Sequence, residues 1–195
     1  MGYVGSKPSA VPLTSADITD GIITSAKIAD GTIVNADINA SAAIASTKLS
    51  GVANTPAFHA YNTSTQTVTS DVQTKVTLST ELFDTDNCFD STTNYRFTPT
   101  TAGKYFIYGH IYPDGSSYPY DWSIQIRKNG TSIASSQRDS SANNVYGSIE
   151  VSSIMDFNGS TDYVELFGKV RQAGTTIFTG GQGNTFFGGY KIIGV

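Results

Sequence analysis

Gly103-Lys-Tyr-Phe-Ile-Tyr-Gly-His-Ile-Tyr112 is the stretch that decides the fold. It is short and aromatic and holds two β-branched isoleucines, so it reads as a strand. Alternate side chains of a strand point to opposite faces. Tyr105, Ile107, Gly109 and Ile111 then share one face, and Phe106, Tyr108, His110 and Tyr112 share the other. Both faces need cover. A second sheet covers one, and another copy of the chain is the simplest cover for the other.

Short strands separated by Gly, Asn, Pro and Asp surround this stretch from Ala57 onward. They are expected at Ala57–Tyr61, Gln66–Thr69, Lys75–Leu78, Leu82–Phe83, Tyr95–Phe97, Lys104–Tyr112, Trp122–Arg127, Thr131–Ser135, Tyr146–Met155, Tyr163–Val170 and Thr185–Ile193. Trp122, Ile124 and Ile126 alternate with Ser123, Gln125 and Arg127, which predicts a half-buried strand with the polar set in water. Ile149 and Val151 alternate in the same way with Ser148, Glu150 and Ser152. Val164, Leu166 and Val170 are set against Glu165 and Lys169. The closing strand is apolar on both faces, with Phe186, Tyr190 and Ile192 on one and Phe187 and Ile193 on the other, so it belongs beside the central strand. Helix signals are nearly absent. The expected fold is all-β and antiparallel, a β-sandwich or a jelly roll.

Working backward, the first fifty residues form a repeat. An aliphatic residue returns every five positions at Leu13, Ile18, Ile23, Ile28, Ile33 and Ile38. Two pentads make a ten-residue unit: Thr14-Ser-Ala-Asp-Ile-Thr-Asp-Gly-Ile-Ile23, then Thr24-Ser-Ala-Lys-Ile-Ala-Asp-Gly-Thr-Ile33. Asp20-Gly21 and Asp30-Gly31 are turn dipeptides in fixed phase. Each unit is read as an extended piece, a tight turn and one aliphatic plug. Such a repeat cannot bury its apolar face alone. Three chains wound around a line of isoleucines would bury it, giving a trimeric stalk or docking segment. A linker whose isoleucines bind nothing and a fragment of β-helix are the alternatives. The division is an arm over 1–12, the repeat over 13–50, a linker over 51–56 and a head over 57–195.

Bulk composition narrows the function. The chain of 195 residues has a net charge of -4, with 14% charged residues and no basic clusters, which argues against a nucleic-acid partner. Cys88 is the single cysteine, so no intrachain disulfide is expected. No apolar run is long enough to span a bilayer, so membrane insertion is not expected. The first residues carry no apolar core of a signal peptide.

Catalytic chemistry is not expected. His59 and His110 sit in predicted strands and read as packed or interface histidines. No serine stands in a nucleophile elbow. Asp84, Asp86 and Asp90, near Asn87, lack the Gly and distal Glu of a calcium loop, so they read as turn carboxylates. Gly180-Gly-Gln-Gly183 is followed by no Lys-Ser/Thr and is not a phosphate cradle. No cofactor and no metal are expected.

Several segments resemble one family in the right order: Pro56-Ala-Phe-His-Ala60, Tyr95-Arg-Phe-Thr-Pro99 with Gly103–Ile111, Arg127-Lys-Asn-Gly130, and Asn184-Thr-Phe-Phe-Gly-Gly-Tyr190. The family is the globular head of the complement recognition subcomponent, which shares a jelly roll with tumour necrosis factor. The resemblance covers roughly residues 56–195 and implies a ten-stranded jelly roll in a compact homotrimer. The isoleucine pentads stand where that family has a collagen stalk. The pentads and the Met1–Pro8 arm resemble N-terminal parts of tail-fibre and appendage proteins of phages, especially marine and cyanobacterial ones.

Together these readings give an expected trimeric virion appendage. Residues 1–50 would dock on another virion protein, and the head would bind a host-surface glycan or protein. A capsid decoration or head fibre and a secreted bacterial adhesin are the alternatives. If main strands alternate in direction, the short turns Thr98–Ala102, Lys128–Gly130 and Asn158–Ser160 lie at the stalk end. The long connections Pro113–Asp121, Gln137–Val145 and Arg171–Gly183 then lie at the far end. Tyr118, Tyr120, Arg138 and Arg171 are the candidate ligand contacts there, since Tyr among small polar residues suits recognition. Phe106, Tyr108, His110, Tyr112, Phe186 and Tyr190 are the candidate trimer interface. Leu13, Ile18, Ile23, Ile28, Ile33 and Ile38 are the candidate stalk core.

Overall fold

The structure is a computed structural model that describes residues 14, 18–39, 41–45, 48–49, 53–139 and 147–194. Leu13, the arm and part of the predicted Gln137–Val145 connection lie outside the described residues. The chain divides into two compact units, Met1–Lys48 and Leu49–Val195.

The first unit keeps the ten-residue period in its backbone. Hydrogen bonds Ile22 N to Thr19 O and Thr32 N to Ala29 O close the two Asp-Gly turns, each 3.1 Å long. Gly21 and Gly31 take the same left-handed φ, 79° and 77°, which only glycine adopts without cost. Between these turns the chain was expected to be extended. Instead Ser25–Lys27 and Asn35–Asp37 are single 3-10 turns. The Ser-Ala-Lys and Asn-Ala-Asp triplets hold no β-branched residue, and Lys27 N donates to Thr24 O. Asp37 also accepts from Val34 N, a local side-chain cap that favours the turn. Ile18, Ile23, Ile28, Ile33 and Ile38 are all exposed in the single chain.

The second unit is built from fourteen described strands: β1 (Ala57–Tyr61), β2 (Gln66–Val68), β3 (Thr74–Lys75), β4 (Thr80–Asp84), β5 (Phe89–Asp90), β6 (Arg96–Phe97), β7 (Gly103–Ile111), β8 (Pro113–Gly115), β9 (Asp121–Lys128), β10 (Thr131–Asp139), β11 (Ile149–Phe157), β12 (Val164–Arg171), β13 (Thr176–Phe178) and β14 (Phe186–Lys191). One sheet runs β11-β7-β14-β1-β4, and a second runs β10-β9-β12-β6-β5 with β3 paired to β12. A small third sheet runs β2-β13-β8. Every pairing is antiparallel.

The core lies between the two large sheets. Tyr105, Ile107, Gly109 and Ile111 of β7 are buried, while Phe106, Tyr108 and His110 are only half-buried, so the two-faced reading of this strand holds. Trp122, Ile124, Ile126, Leu166 and Phe187 are fully buried with them. Phe58 sits at the centre, stacked on Phe97 at 4.3 Å and on Phe89 at 5.0 Å, with the Phe187 ring edge-on at 5.2 Å. As expected, β14 lies beside β7.

Three expectations fail. Glu165 and Ser123 do not face water; both are buried on the outer face of the second sheet. The segment Gln73–Lys75 crosses that face. Lys75 pairs with Glu165, and Gln73 Nε2 donates to Ser123 Oγ at 2.8 Å. The loops Pro113–Asp121 and Arg171–Gly183 are not free connections, because β8 and β13 within them pair with each other and β13 also pairs with β2. The predicted strand Lys75–Leu78 reduces to Thr74–Lys75, since Val76 and Leu78 are recruited into the core instead.

Candidate functional site

Two surfaces of the second unit carry the side chains singled out in the sequence. One is the outer face of the five-stranded sheet, and the strand register fixes its layout. Glu150, His110, Phe186, Tyr61 and Thr80 form one row across the sheet. Ser152, Tyr108, Gly188, His59 and Phe83 form the next. Ile154, Phe106, Tyr190 and Ala57 form a third.

The rings of these rows touch as one cluster. His110 lies flat on Phe186 at 4.9 Å with an interplanar angle of 3°. His59 stacks on Phe186 at 5.4 Å, and Phe106 meets Tyr190 at 5.7 Å and Tyr108 at 6.0 Å. Gly188 explains how Tyr108 and His59 meet across an intervening strand. A Cβ at 188 would overlap the Tyr108 ring, so only glycine lets that ring lie down over β14. The Tyr108 hydroxyl then reaches 3.0 Å from His59 Nδ1. Burial pushes the His59 imidazole below its ordinary range and the Tyr108 phenol above its own.

The face is uncovered in one chain. Ile154 is 59% exposed, Phe83 45% and Tyr190 39%. An open cavity of about 520 Å³ runs along it, lined by Phe106, Tyr108, His110, Glu150, Ser152 and Phe186. The structure therefore brings together five of the six residues read from the sequence as an interface. Tyr112 follows Ile111, the last residue of β7, and its carbonyl accepts from Thr179 N.

The second surface is the end of the sandwich that carries the long connections. Tyr120 N donates to Arg171 O at 2.8 Å, and Asp121 stands opposite both Arg171 and Asp139 in the register. Arg138 stands opposite Trp122, with its guanidinium 5.5 Å from the ring centroid. Tyr120, Arg138 and Arg171 thus adjoin at this end, and Tyr118 lies on the same connection. All four are exposed. Beneath them Lys169 is held 3.0 Å from both Asp71 and Asp121, which pushes its ammonium pKa up. At the opposite end the short turns converge: Asn129 Nδ2 donates to Asp162, and a Cβ on Gly159 would meet the backbone of Ala102. Pro56 O accepts from Lys191 N near this end, so the chain enters the head where the short turns are.

Asp84, Asp86 and Asp90 are bound up in turns. Asp84 accepts from the N–H groups of Asp86 and Phe89, and Asp90 accepts from those of Thr92, Thr93 and Asn94. Those backbone donors, Thr93 first, hold the Asp90 carboxyl well below the usual range. Among the described residues of one chain, no group of three or more His, Cys, Asp and Glu is arranged to hold a metal ion. Among them too, no helix is long and apolar enough to cross a membrane.

No protein-family model matches the chain, and no curated protein matches its sequence. Solved structures do resemble it. Murine APRIL at pH 5.0 has a TM-score of 0.54 at 12% identity, over 70% of this chain and 98% of that one. Eiger, a tumour necrosis factor from S. frugiperda, has a TM-score of 0.52 at 13% identity, over 71% and 93%. The globular domain of the zebrafish complement 1qA protein has a TM-score of 0.50 at 19% identity, over 70% and 97%. At such identities the likeness is one of fold: the chain carries a jelly-roll head of the tumour-necrosis-factor and complement-head kind.

Proposed function

We propose that the protein is a non-enzymatic, homotrimeric recognition head on a repeat stalk, serving as a fibre or appendage of a phage particle. The outer aromatic face of the five-stranded sheet carries this reading. Covering a large apolar side chain contributes about 1.5–3 kcal/mol. Phe83, Phe106, Tyr108, Ile154, Phe186 and Tyr190 together are enough to hold copies of the chain together. The tumour-necrosis-factor-like fold and the exposed isoleucine ladder of the first unit support the same assembly, since both ask for cover that one chain does not supply. The phage assignment draws on the resemblance of the pentads to appendage proteins. Residues 1–50 dock on another particle protein, and the loop end, with Tyr118, Tyr120, Arg138 and Arg171, meets a host-surface glycan.

The assembly is tested by sedimentation of the full chain at falling concentration, which is expected to give three times the 20.7 kDa of one chain. Ile154→Lys is the decisive variant. Its side chain is mostly in water in a single chain, so the fold survives, but a charge in the covered face breaks the trimer. A folded wild-type monomer at all concentrations sinks the reading. The recognition role is tested by changing Tyr118 and Tyr120 together to Ala. Attachment to host cells is expected to disappear while the trimer persists; unchanged attachment removes these tyrosines from the binding surface.

A further inference from the structure

We infer that Arg96 and Arg127 form a second ligand site, on the outer face of the second sheet, that takes an anionic sugar. This face lies across the sandwich from the aromatic one, so the site is complete in a single chain. The pattern of ion pairs points to it. Among the described residues, every carboxylate pair of the head uses a lysine: Lys75, Lys104, Lys128 or Lys169. None of the four arginines has a carboxylate partner, although the planar guanidinium is the cation best shaped to grip one through two parallel bonds. Three of them lie on aromatic rings instead. Arg138 lies on Trp122 at the loop end, Arg127 is 4.0 Å from the centre of Phe167, and Arg96 is 4.4 Å from that of Tyr163.

Arg127 and Arg96 share one row across the sheet, in the order Ser132, Arg127, Glu165, Arg96, Asp90. Neighbouring strands are about 4.8 Å apart, so the two arginines rise about 10 Å from each other. The carboxylates beside them are engaged elsewhere. Glu165 pairs with Lys75, and Asp90 accepts from Thr92, Thr93 and Asn94. Arg127 is set in advance: its Nε and Nη2 both donate to Gln125 Oε1, at 3.0 and 2.9 Å, and the Phe167 ring fixes its plane. Both N–H groups of Nη1 and one of Nη2 stay open, and this end-on fork fits the two oxygens of a carboxylate or a sulfate. The Arg96 side chain donates to no described group. Both arginines are half-buried, so little side-chain freedom is left to lose on binding. Lys75, Arg96 and Arg127 stand against two carboxylates, a positive patch on a chain of net charge -4. Ser132, Ser135 and Gln125 border the arginines on β9 and β10, which places hydroxyl and amide groups beside the forks. That setting suits a polyhydroxyl ring bearing a carboxylate or a sulfate. Arg127 adjoins the Lys128–Gly130 turn, at the opposite end from Tyr118 and Tyr120, so the site is separate from the loop end.

The test titrates the full chain calorimetrically with tetragalacturonate, with its methyl ester and with a sulfated neutral tetrasaccharide. One site per chain is expected for the uronate or the sulfated sugar, weakened by added salt, and none for the ester. Whichever anion binds more tightly names the group that the forks take. Arg127→Lys and Arg96→Lys keep the charge and lose the fork, so each should weaken binding about tenfold or more. Ile154→Lys should bind as the wild type does, because the site needs no second copy; a failure of the assembly therefore leaves it standing. Changing Tyr118 and Tyr120 together to Ala should also leave binding intact. Loss of binding in that double variant moves the anion to the loop end and overturns the site. Wild-type affinity in both lysine variants overturns it too. Hexaglutamate bound more tightly than either sugar replaces the sugar with an acidic peptide, and equal binding of the ester removes the charge from the recognition. A folded chain that takes up neither anionic sugar ends the proposal.

Discussion

Burial at single residues sets two measurable quantities. Phe58 is fully enclosed by Phe89, Phe97 and Phe187. Phe58→Ala removes the centre of that stack and leaves a void that strands on two sheets cannot collapse to fill. A loss of about 3–5 kcal/mol is expected, read as a fall in the urea midpoint at unchanged slope. His59 sets the second. Burial beneath Phe83, Tyr108 and Phe186 depresses its pKa from the ordinary 6.5. The unfolded chain therefore takes up the proton first as pH falls. The stability contribution is complete above about pH 6.5, declines as pH drops through the lower folded value, and is flat below it. Thermal midpoints measured from pH 7.5 to 5 should show that decline, and His59→Gln should reduce it. An identical slope in the variant would place the acid sensitivity elsewhere.

Strands act through what their neighbours lay on them, and β14 is the clearest instance. Its Gly188 is the floor beneath Tyr108, and the hydroxyl reaches His59 only because that floor is bare. Gly188→Ala should lift the ring, break the 3.0 Å bond and raise the exposure of Tyr108. The monomer fold should survive with a lower midpoint, while the trimer dissociates at higher concentration; an unchanged trimer would show that the ring's pose is immaterial to assembly. Nothing in Phe-Phe-Gly-Gly-Tyr announces this, because the reason for the glycine lies on β7, some eighty positions earlier in the chain. Alternation within a strand was legible: Trp122, Ile124 and Ile126 go in, and Phe106, Tyr108 and His110 form an outer face. Which elements cross a face was not. Glu165 and Ser123 read as water-facing residues by their period, yet Lys75 arrives from far away to pair with Glu165 and Gln73 to donate to Ser123. The third sheet escaped for a similar reason, since Pro113-Asp-Gly115 carries turn residues and becomes a strand only beside β13. At the loop end, sequence spacing put Tyr120, Arg138 and Arg171 at one pole, and the register agrees. Strand periodicity also assigned Tyr112 to the interface set, and the hydrogen-bonded strand ends one residue before it.

The entire chain holds two units of opposite character. The head has a core that one copy completes, plus one face that it does not. The repeat has no buried residue among those described, only two phased turn types and a ladder of isoleucines. Conformational entropy of about 1–2 kcal/mol per residue opposes that ordered backbone, and the local hydrogen bonds of isolated turns do not offset it. Under the proposed assembly, the plugs of the described residues 18–39 are covered by equivalent plugs on other chains. In a lone chain, Ile28→Asp together with Ile33→Asp replaces two exposed side chains and changes little. In a bundle it buries two like-charged pairs per chain and opens the repeat. Limited proteolysis of the full protein distinguishes these cases. The wild-type repeat should resist cleavage at concentrations where the head is trimeric and become sensitive on dilution below them. The double variant should be cut within the repeat at every concentration, leaving a head that still sediments as a trimer because its aromatic face is untouched. Equal cleavage of wild type and variant would mean that the isoleucines are covered by no second copy, and the pentads would then act as a tether that spaces the head from whatever holds it.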